Sequence, residues 1–214
     1  MIPNRERDTC DAGEPVNRNL TLTGERGHQP RVVYSAHPRP SREPIMAILP
    51  IRTFGDPVLR METKPIVDFE ETLQVLTIDM IETMYQAPGV GLAANQIGIP
   101  RRIAVFDAQD GLGPRVMINP EIVELSGEWA YEEGCLSVPG HYWEIKRPGF
   151  ARARAFDLGG NEVEFAGDGL LGRVLQHEVD HLDGKLLIDR LERRERKQAL
   201  RDLRDEALGM ASHE

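Results

Sequence analysis

The hydrophobic pattern of this chain changes near residue 46. Before that point apolar residues recur with neither the helical nor the strand period, and the first 45 residues hold six prolines, seven arginines and six acidic residues. Such a segment cannot offset its ordering entropy by burying side chains. We predict that residues 1–45 form a disordered extension and that residues 46–214 form the folded domain.

The extension also bears on where translation begins. It lacks the apolar run of a signal peptide, and its acidic residues are atypical of a transit peptide. Met46 is followed at once by the apolar segment Ala-Ile-Leu-Pro-Ile. We therefore treat Met46 as an alternative start.

Apolar residues spaced three and four apart predict helices on both sides of a central region. The first helix is predicted to begin at Asp68, whose spacing to Glu71 is that of a capping box, and to end at Pro88-Gly89. A C-terminal helix is predicted over residues 189–208, where charges of both signs surround regularly spaced leucines.

Short strands are predicted between these helices, separated by glycine-rich turns. Successive short strands favour antiparallel pairing, and the absence of regular strand–helix alternation argues against a doubly wound sheet. The predicted fold is α+β, with antiparallel or mixed sheets packed around a central helix. The strand-like segments are 102–107, 116–119, 122–125, 150–157 and 162–165.

Composition and charge narrow the function classes. Hydrophobic residues make up 40% and charged residues 29% of the 214 residues, as in globular proteins, and no apolar run is long enough to span a membrane. The net charge of −9 argues against broad affinity for nucleic acid. Cys10 and Cys135 lie in segments of different character, so no disulfide is predicted and a reducing compartment is expected.

The central helix carries the strongest chemical signal. It is predicted to begin after Asp168 as N-cap and to end at Gly184, and it contains His177 and His181 with Glu178 beside the first. Residues four apart share a helical face, so both imidazoles could bind one metal ion. The alternative is a pair of core histidines, which the accompanying buried glutamate makes harder to sustain.

Cys135 is the natural third ligand. A catalytic metal site usually has three protein ligands and one open position, and a thiolate is a strong ligand for a borderline metal. Gly134 before it permits close approach of the backbone. Taken alone, a cysteine in a turn is more often a small buried apolar residue.

Three segments of the chain form a distinctive set of motifs. They are Gly89-Val90-Gly91-Leu92-Ala93-Ala94-Asn95-Gln96, Glu133-Gly134-Cys135-Leu136-Ser137 and Gln176-His177-Glu178-Val179-Asp180-His181-Leu182-Asp183-Gly184. Together they resemble the peptide deformylases. They occur in the family's order, and three motifs are far more specific than one. The resemblance runs from about residue 46 to the C-terminal helix, so residues 46–214 would be the catalytic domain.

The resemblance implies a role for each matched residue. Cys135, His177 and His181 would be the metal ligands. Glu178 would be the acid/base, and Gln96 with the Leu136 amide would receive the oxyanion. Substrate-binding residues are expected to be Val90, Gly91, Leu170 and Val174, although ordinary core packing is nearly as good an interpretation of the three apolar ones.

The resemblance also implies an activity and its context. The expected reaction removes the formyl group from the N-terminal methionine of newly made bacterial proteins and releases formate. The expected cofactor is one divalent ion, Fe²⁺ in the cell, with Zn²⁺, Ni²⁺ or Co²⁺ tolerated. Expected partners are nascent N-formylmethionyl peptides in the cytoplasm and the ribosome near its exit tunnel, with no membrane and no sequence-specific nucleic acid. His141-Tyr142-Trp143 replaces an arginine found in some members, which leaves open how later substrate residues are held.

Two other classes remain to be distinguished. A zinc endopeptidase would use the same helix motif, but its third ligand normally lies downstream as a glutamate or histidine. After His181 the only histidine is the terminal His213, and Glu192 lies beyond the end of the helix. A closed structural metal site would need a fourth protein ligand, and no second cysteine occurs after residue 45. Cys135 upstream of the helix favours the deformylase.

Overall fold

The computed structural model describes residues 47–209, so the predicted extension lies outside the described residues. Its helices are α1 (Glu71–Gln86), α2 (Gly169–Leu182) and α3 (Arg193–Ala207), with short 3-10 helices at Pro57–Arg60, Ala94–Ile97 and Leu187–Arg190. The strands are β1 (Gly91–Ala93), β2 (Ile103–Phe106), β3 (Arg115–Ser126), β4 (Trp129–Cys135), β5 (Val138–Arg147), β6 (Phe150–Phe156) and β7 (Glu162–Asp168).

The strands form two separate sheets. Five of them pair in the order β1-β2-β3-β6-β7, and β4 pairs with β5 as a two-stranded hairpin. Every pair of named strands is antiparallel. The predicted α+β fold with antiparallel sheets and a C-terminal helix is confirmed.

Helix α2 packs closely on the five-stranded sheet. A Cβ atom at Gly172 would lie 2.5 Å from the Gly167 carbonyl oxygen on β7, so only glycine allows this approach. The apolar side of α2, with Val174 and Leu175, joins a core that includes Phe106 and Met117. These contacts fix the distance between the helix and the sheet.

A second core supports the hairpin. Cys135, Val138 and Ile145 from β4 and β5 pack with apolar residues of the C-terminal segment, including Leu187 and Leu203. The end of β4 is therefore anchored by burial. None of the helices within residues 47–209 has the length and apolar character needed to cross a membrane.

Several predicted element boundaries are wrong. Helix α1 begins at Glu71, and Glu70, which has no side-chain capping bond, occupies the N-cap position predicted for Asp68. The segments 116–119 and 122–125 form one strand, β3, because register shifts absorb the irregularity around Pro120. Asp168 does occupy the N-cap position of α2, but its side chain makes no capping hydrogen bond.

Candidate metal centre

Helix α2 presents two imidazoles to the same point. His177 and His181 lie one turn apart, and their Nε2 atoms are 3.2 Å from each other. His181 is 1% exposed, so its ring is shielded from bulk water. The helical repeat alone explains why these two rings meet.

The hairpin brings a sulfur to the same point. Cys135 is the last residue of β4, and the two-residue turn Leu136-Ser137 follows it before β5. Its Sγ atom lies 3.1 Å from His181 Nε2, although 46 residues separate the two in sequence. The Ser137 amide donates to the sulfur at 3.4 Å, which helps to orient the sulfur.

The three side chains fit a divalent metal ion. Their ligand atoms all lie within 4.8 Å of one another, and no other such group of histidine, cysteine or acidic residues was found within residues 47–209. Tetrahedral coordination with bonds of about 2.0–2.3 Å places ligand atoms roughly 3.3–3.6 Å apart. The separations of 3.1 Å from His181 Nε2 to the Cys135 sulfur and 3.2 Å to His177 Nε2 are within a few tenths of an ångström of that range.

The electrostatics of the site favour a thiolate. Burial raises the pKa of the Cys135 thiol, but the charge and hydrogen bonds of His181 and His177 outweigh burial and hold that pKa well below its usual range. Burial lowers the pKa of His177, but its hydrogen bonds with Cys135 and Glu133 prevail and raise it to about 10. A metal ion competes with the histidine proton, because only neutral imidazole coordinates.

Glu178 lies against the cavity with its charge poorly solvated. Burial raises the pKa of Glu178 to about 7, with the neighbouring histidines opposing the change. Its Oε2 atom has no hydrogen-bond partner among the described residues. A Cβ atom at Gly91 would overlap Glu178 Oε1 and approach Val174 Cγ2 to 2.8 Å, so glycine is required beside this carboxyl group.

The Gln96 side chain has a defined orientation. Its Oε1 accepts from the Ala93 amide at 2.8 Å, which leaves the NH₂ group facing the site. That group donates to Ser137 Oγ at 3.2 Å and lies 3.8 Å from the Cys135 sulfur. The amide is therefore a positioned neutral donor at the site.

A cavity opens over these groups. Three of the four predicted substrate-binding residues line it, namely Val90, Gly91 and Val174. Leu170 does not line it; it is partly buried and packs against the core that α2 shares with the five-stranded sheet. The full lining is Gly89, Val90, Gly91, Gln96, Glu133, Gly134, Cys135, Leu136, Arg173, Val174, His177 and Glu178.

A buried ionic network behind the ligands was not foreseen from the sequence. Glu133, Arg147, Arg173 and Asp180 are all at least nine-tenths buried and bonded to one another. Two of these residues belong to the motifs described above. Glu133 precedes Gly134-Cys135, and Asp180 lies between the two histidines. Their position in those motifs was the available signal of a role at the site, but charged residues are ordinarily exposed to solvent.

Comparison with known proteins agrees with this geometry. A sequence model of the polypeptide deformylase family matches residues 48–197. Peptide deformylase 1 of Clostridium perfringens is 50% identical over 144 residues, which cover 67% of this chain and 98% of the relative.

Solved structures show the same likeness in three dimensions. A peptide deformylase from Legionella pneumophila superposes with a TM-score of 0.70 at 44% identity, over 78% of this chain and 100% of the other. A class I type b peptide deformylase from Acinetobacter baumannii with bound Met-Ala-Ser gives 0.65 at 32% identity, over 69% and 100%. The chain therefore belongs to the peptide deformylase family, whose members are hydrolases that remove the formyl group from the N-terminal methionine of new proteins.

Proposed function

We propose that Cys135, His177 and His181 bind one divalent metal ion and that the cavity above them receives the formyl group. One observation carries this proposal. A thiol and two imidazoles converge beside a buried carboxyl group in a cavity open to a ligand. Such a set is typical of a catalytic site, because three protein ligands leave a coordination position open.

The bound ion would supply Lewis-acid polarisation of the formyl carbonyl and a water of lowered pKa. A donor set of one thiolate and two imidazoles suits several divalent ions. We propose Fe²⁺ as the native ion on the family resemblance, with Zn²⁺, Ni²⁺ and Co²⁺ as substitutes.

Glu178 is proposed as the group that carries the proton. A carboxyl group whose pKa lies at about 7 can both accept and release a proton near neutral pH. It would take a proton from the attacking water and deliver it to the departing amine nitrogen. Gly91 permits this role, because a side chain there would displace the carboxyl group.

Gln96 and the Leu136 amide are proposed to stabilise charge on the formyl oxygen. Gln96 offers an NH₂ group whose direction is set by the Ala93 amide on its other end. Leu136 stands in the turn directly after Cys135 and lines the cavity. Donors positioned before the reaction stabilise developing charge without reorganisation.

Val90, Gly91 and Val174 are proposed to bind the substrate. Val90 and Val174 give the cavity the apolar walls that a methionine side chain needs, and both are buried. The Acinetobacter relative, which has Met-Ala-Ser bound, supports a peptide that begins with methionine as the occupant. Nascent N-formylmethionyl peptides are the proposed substrates.

The proposed location is the cytoplasm, since nascent chains are made there. Docking on the ribosome near the exit tunnel is proposed through α3, on the family resemblance. The helix is mostly exposed and exposes several arginines, including Arg193, Arg194 and Arg201. Charge of this kind can attract ribosomal RNA, although α3 also carries acidic residues.

The activity is tested with protein purified in the absence of oxygen. Formate release is measured from a formyl-methionyl peptide, beside cleavage of an unformylated peptide with accessible internal bonds. Formate without internal cleavage is expected. Internal cleavage without formate would contradict the proposal.

The role of Glu178 is tested by Glu178→Ala, with exposed Glu164→Ala on β7 as the matched control. Loss of the proton carrier is expected to lower kcat by about 10²–10⁴-fold, because general acid–base catalysis contributes on that scale. Metal content, measured by elemental analysis, is expected to stay near that of the parent protein. Loss of the metal, or retained activity, would refute the assigned role.

A further inference from the structure

We propose that Glu133 is a positioning residue for His177, and that Arg147 joins it to Asp180 so that the hairpin and helix α2 present their metal ligands in one preformed arrangement. The inference rests on the proposed metal site and gives a positioning role to residues that take no part in the reaction itself. It concerns how the ligands are held.

The Glu133 carboxylate makes direct contact with a metal ligand. Its Oε1 lies 2.6 Å from His177 Nδ1 and accepts from Arg147 Nη2 at 2.7 Å. Its Oε2 accepts from Arg147 Nε at 3.0 Å and from Arg173 Nη1 at 2.6 Å. Each oxygen thus has two donors, and the residue is 2% exposed.

These contacts select one tautomer of His177. A carboxylate between two buried guanidinium groups only accepts, so the proton of the ring must lie on Nδ1. In the neutral ring, which is the form that can coordinate a metal ion, Nε2 then directs its lone pair toward His181 Nε2 and the Cys135 sulfur. A carboxylate on the outer nitrogen is the usual means of orienting a metal-bound histidine.

Arg147 extends the contact from the ring to the backbone elements. It belongs to β5, and its Nη1 donates to Asp180 Oδ2 on α2 at 2.7 Å. Arg190 holds the same carboxylate from the 3-10 helix before α3, with Nε at 2.9 Å from Oδ2. The cysteine strand and the histidine helix are therefore connected by paired charges.

Burial of so many charges points to a geometric purpose. Breaking a buried ion pair is costly, whereas apolar residues of similar size often pack as stably. None of the four charged residues is more than 6% exposed. If stability were their only contribution, apolar residues would serve equally well. Forked, directional hydrogen bonds of arginine do fix orientation, which apolar packing does not.

The second histidine provides an internal reference. His181 Nδ1 is buried and has no hydrogen-bond partner within residues 47–209. The network therefore acts on one ligand of the pair. Loss of Glu133 should alter the ring of His177 and leave that of His181 largely unchanged.

The test is Glu133→Gln, with Glu132→Gln as the matched control. Glu132 is the neighbouring residue of β4, but its side chain is exposed. Glutamine keeps the size of the side chain but replaces an accepting oxygen with a donor. Zn²⁺ affinity, measured by competition with a chelator, is expected to fall by about 10–100-fold in Glu133→Gln and to stay within twofold in the control.

A spectroscopic measurement separates positioning from a general structural effect. Ring-nitrogen chemical shifts of Zn²⁺-loaded protein are expected to show a single Nδ1-protonated form of His177 in the parent and a changed signal in Glu133→Gln. His181 is expected to give the same signal in both. Parental affinity together with unchanged His177 shifts would overturn the proposal.

A second variant covers failure of the first to fold. Arg147→Lys keeps the charge and loses the fork, so Zn²⁺ affinity is expected to fall less than in Glu133→Gln, and circular dichroism verifies folding. Unchanged affinity in a folded Arg147→Lys would refute the role of Arg147. If the parent and His177→Ala bind Zn²⁺ equally, the proposed metal site itself fails, and that outcome is distinct from the failure of Glu133 alone.

Discussion

The two sheets of the molecule treat charge in opposite ways. On the five-stranded sheet, Arg152 of β6 bonds Glu124 and Glu164 on the neighbouring strands, and 35–51% of each side chain is exposed. In the hairpin, Glu133 and Arg147 bond each other with side chains only 2–3% exposed. Contacts of similar length therefore occur in very different dielectric surroundings.

The difference follows from what each sheet faces. The inner face of the five-stranded sheet meets the apolar side of α2, so its charges stay at the surface. The hairpin meets the side of α2 that carries His177, where a buried carboxylate has a ring to orient. Exposed pairs contribute little to stability, whereas buried ones are costly to break. Burial, more than distance, decides what an ion pair does.

The largest expected effect comes from breaking the buried network. Arg147→Met removes a guanidinium group from between Glu133 and Asp180 and leaves both acids with fewer donors. The free energy of unfolding is expected to fall by about 3–5 kcal/mol, because uncompensated charge remains buried. Urea denaturation of the metal-depleted protein measures it, and a loss below 1 kcal/mol would show that the network is not held as described.

Acid should also weaken the network, and each pH unit should lower the free energy of unfolding by less than Arg147→Met does. Burial acts to raise the pKa values of Glu133 and Asp180, but His177 and Arg147 hold the first, and Arg190 and Arg147 the second, below their usual values. Because both pKa values are lowered in the folded protein, the two carboxylates stabilise the fold at pH values above their ordinary pKa values of 4.5 and 3.8. This stabilisation is lost as the pH falls through the pKa values of the folded state. The free energy of unfolding should fall by about 1.4 kcal/mol per pH unit for each such carboxylate.

This loss is measured by denaturing the metal-depleted protein at successive pH values below 4.5, which is the ordinary pKa of Glu133. Glu133→Gln should show a shallower decline, since one of the two carboxylates is gone. Equal slopes in parent and variant would mean that Glu133 does not carry the expected charge.

The smallest effect is expected on the five-stranded sheet. Arg152→Met makes the same chemical change as Arg147→Met, but at an exposed position. The free energy of unfolding should change far less than in Arg147→Met, because water solvates the two acids that remain. The same denaturation series measures both variants, and a loss similar to that of Arg147→Met would remove the distinction between the sheets.

The helical part of the site could be predicted with little more than a periodicity. A helix places residues four apart on one face, so His177 and His181 were expected to meet, and the structure has their Nε2 atoms 3.2 Å apart. Their roles as ligands remain a prediction. Glu133 and Arg147 were not foreseen, because nothing local distinguishes a buried ion pair from two charges in solvent.

The missed strands have local causes. β4 contains adjacent glutamates, β5 contains Pro139-Gly140, and β1 is only three residues long. None of these shows the alternation of a half-buried strand. The misplaced start of α1 has the same origin, since the spacing of Asp68 and Glu71 matched a capping box that the backbone does not form.

The sequence by itself determined the α+β class, the central helix and the pairing of its histidines, because these depend on short-range periodicity. Tertiary structure alone decided that the Cys135 sulfur lies 3.1 Å from His181 and that Glu133 reaches the back of His177. Both contacts join residues more than 40 positions apart, across a hairpin and a helix whose meeting depends on the packing of two cores. Such packing is a property of the whole fold, which no local pattern encodes.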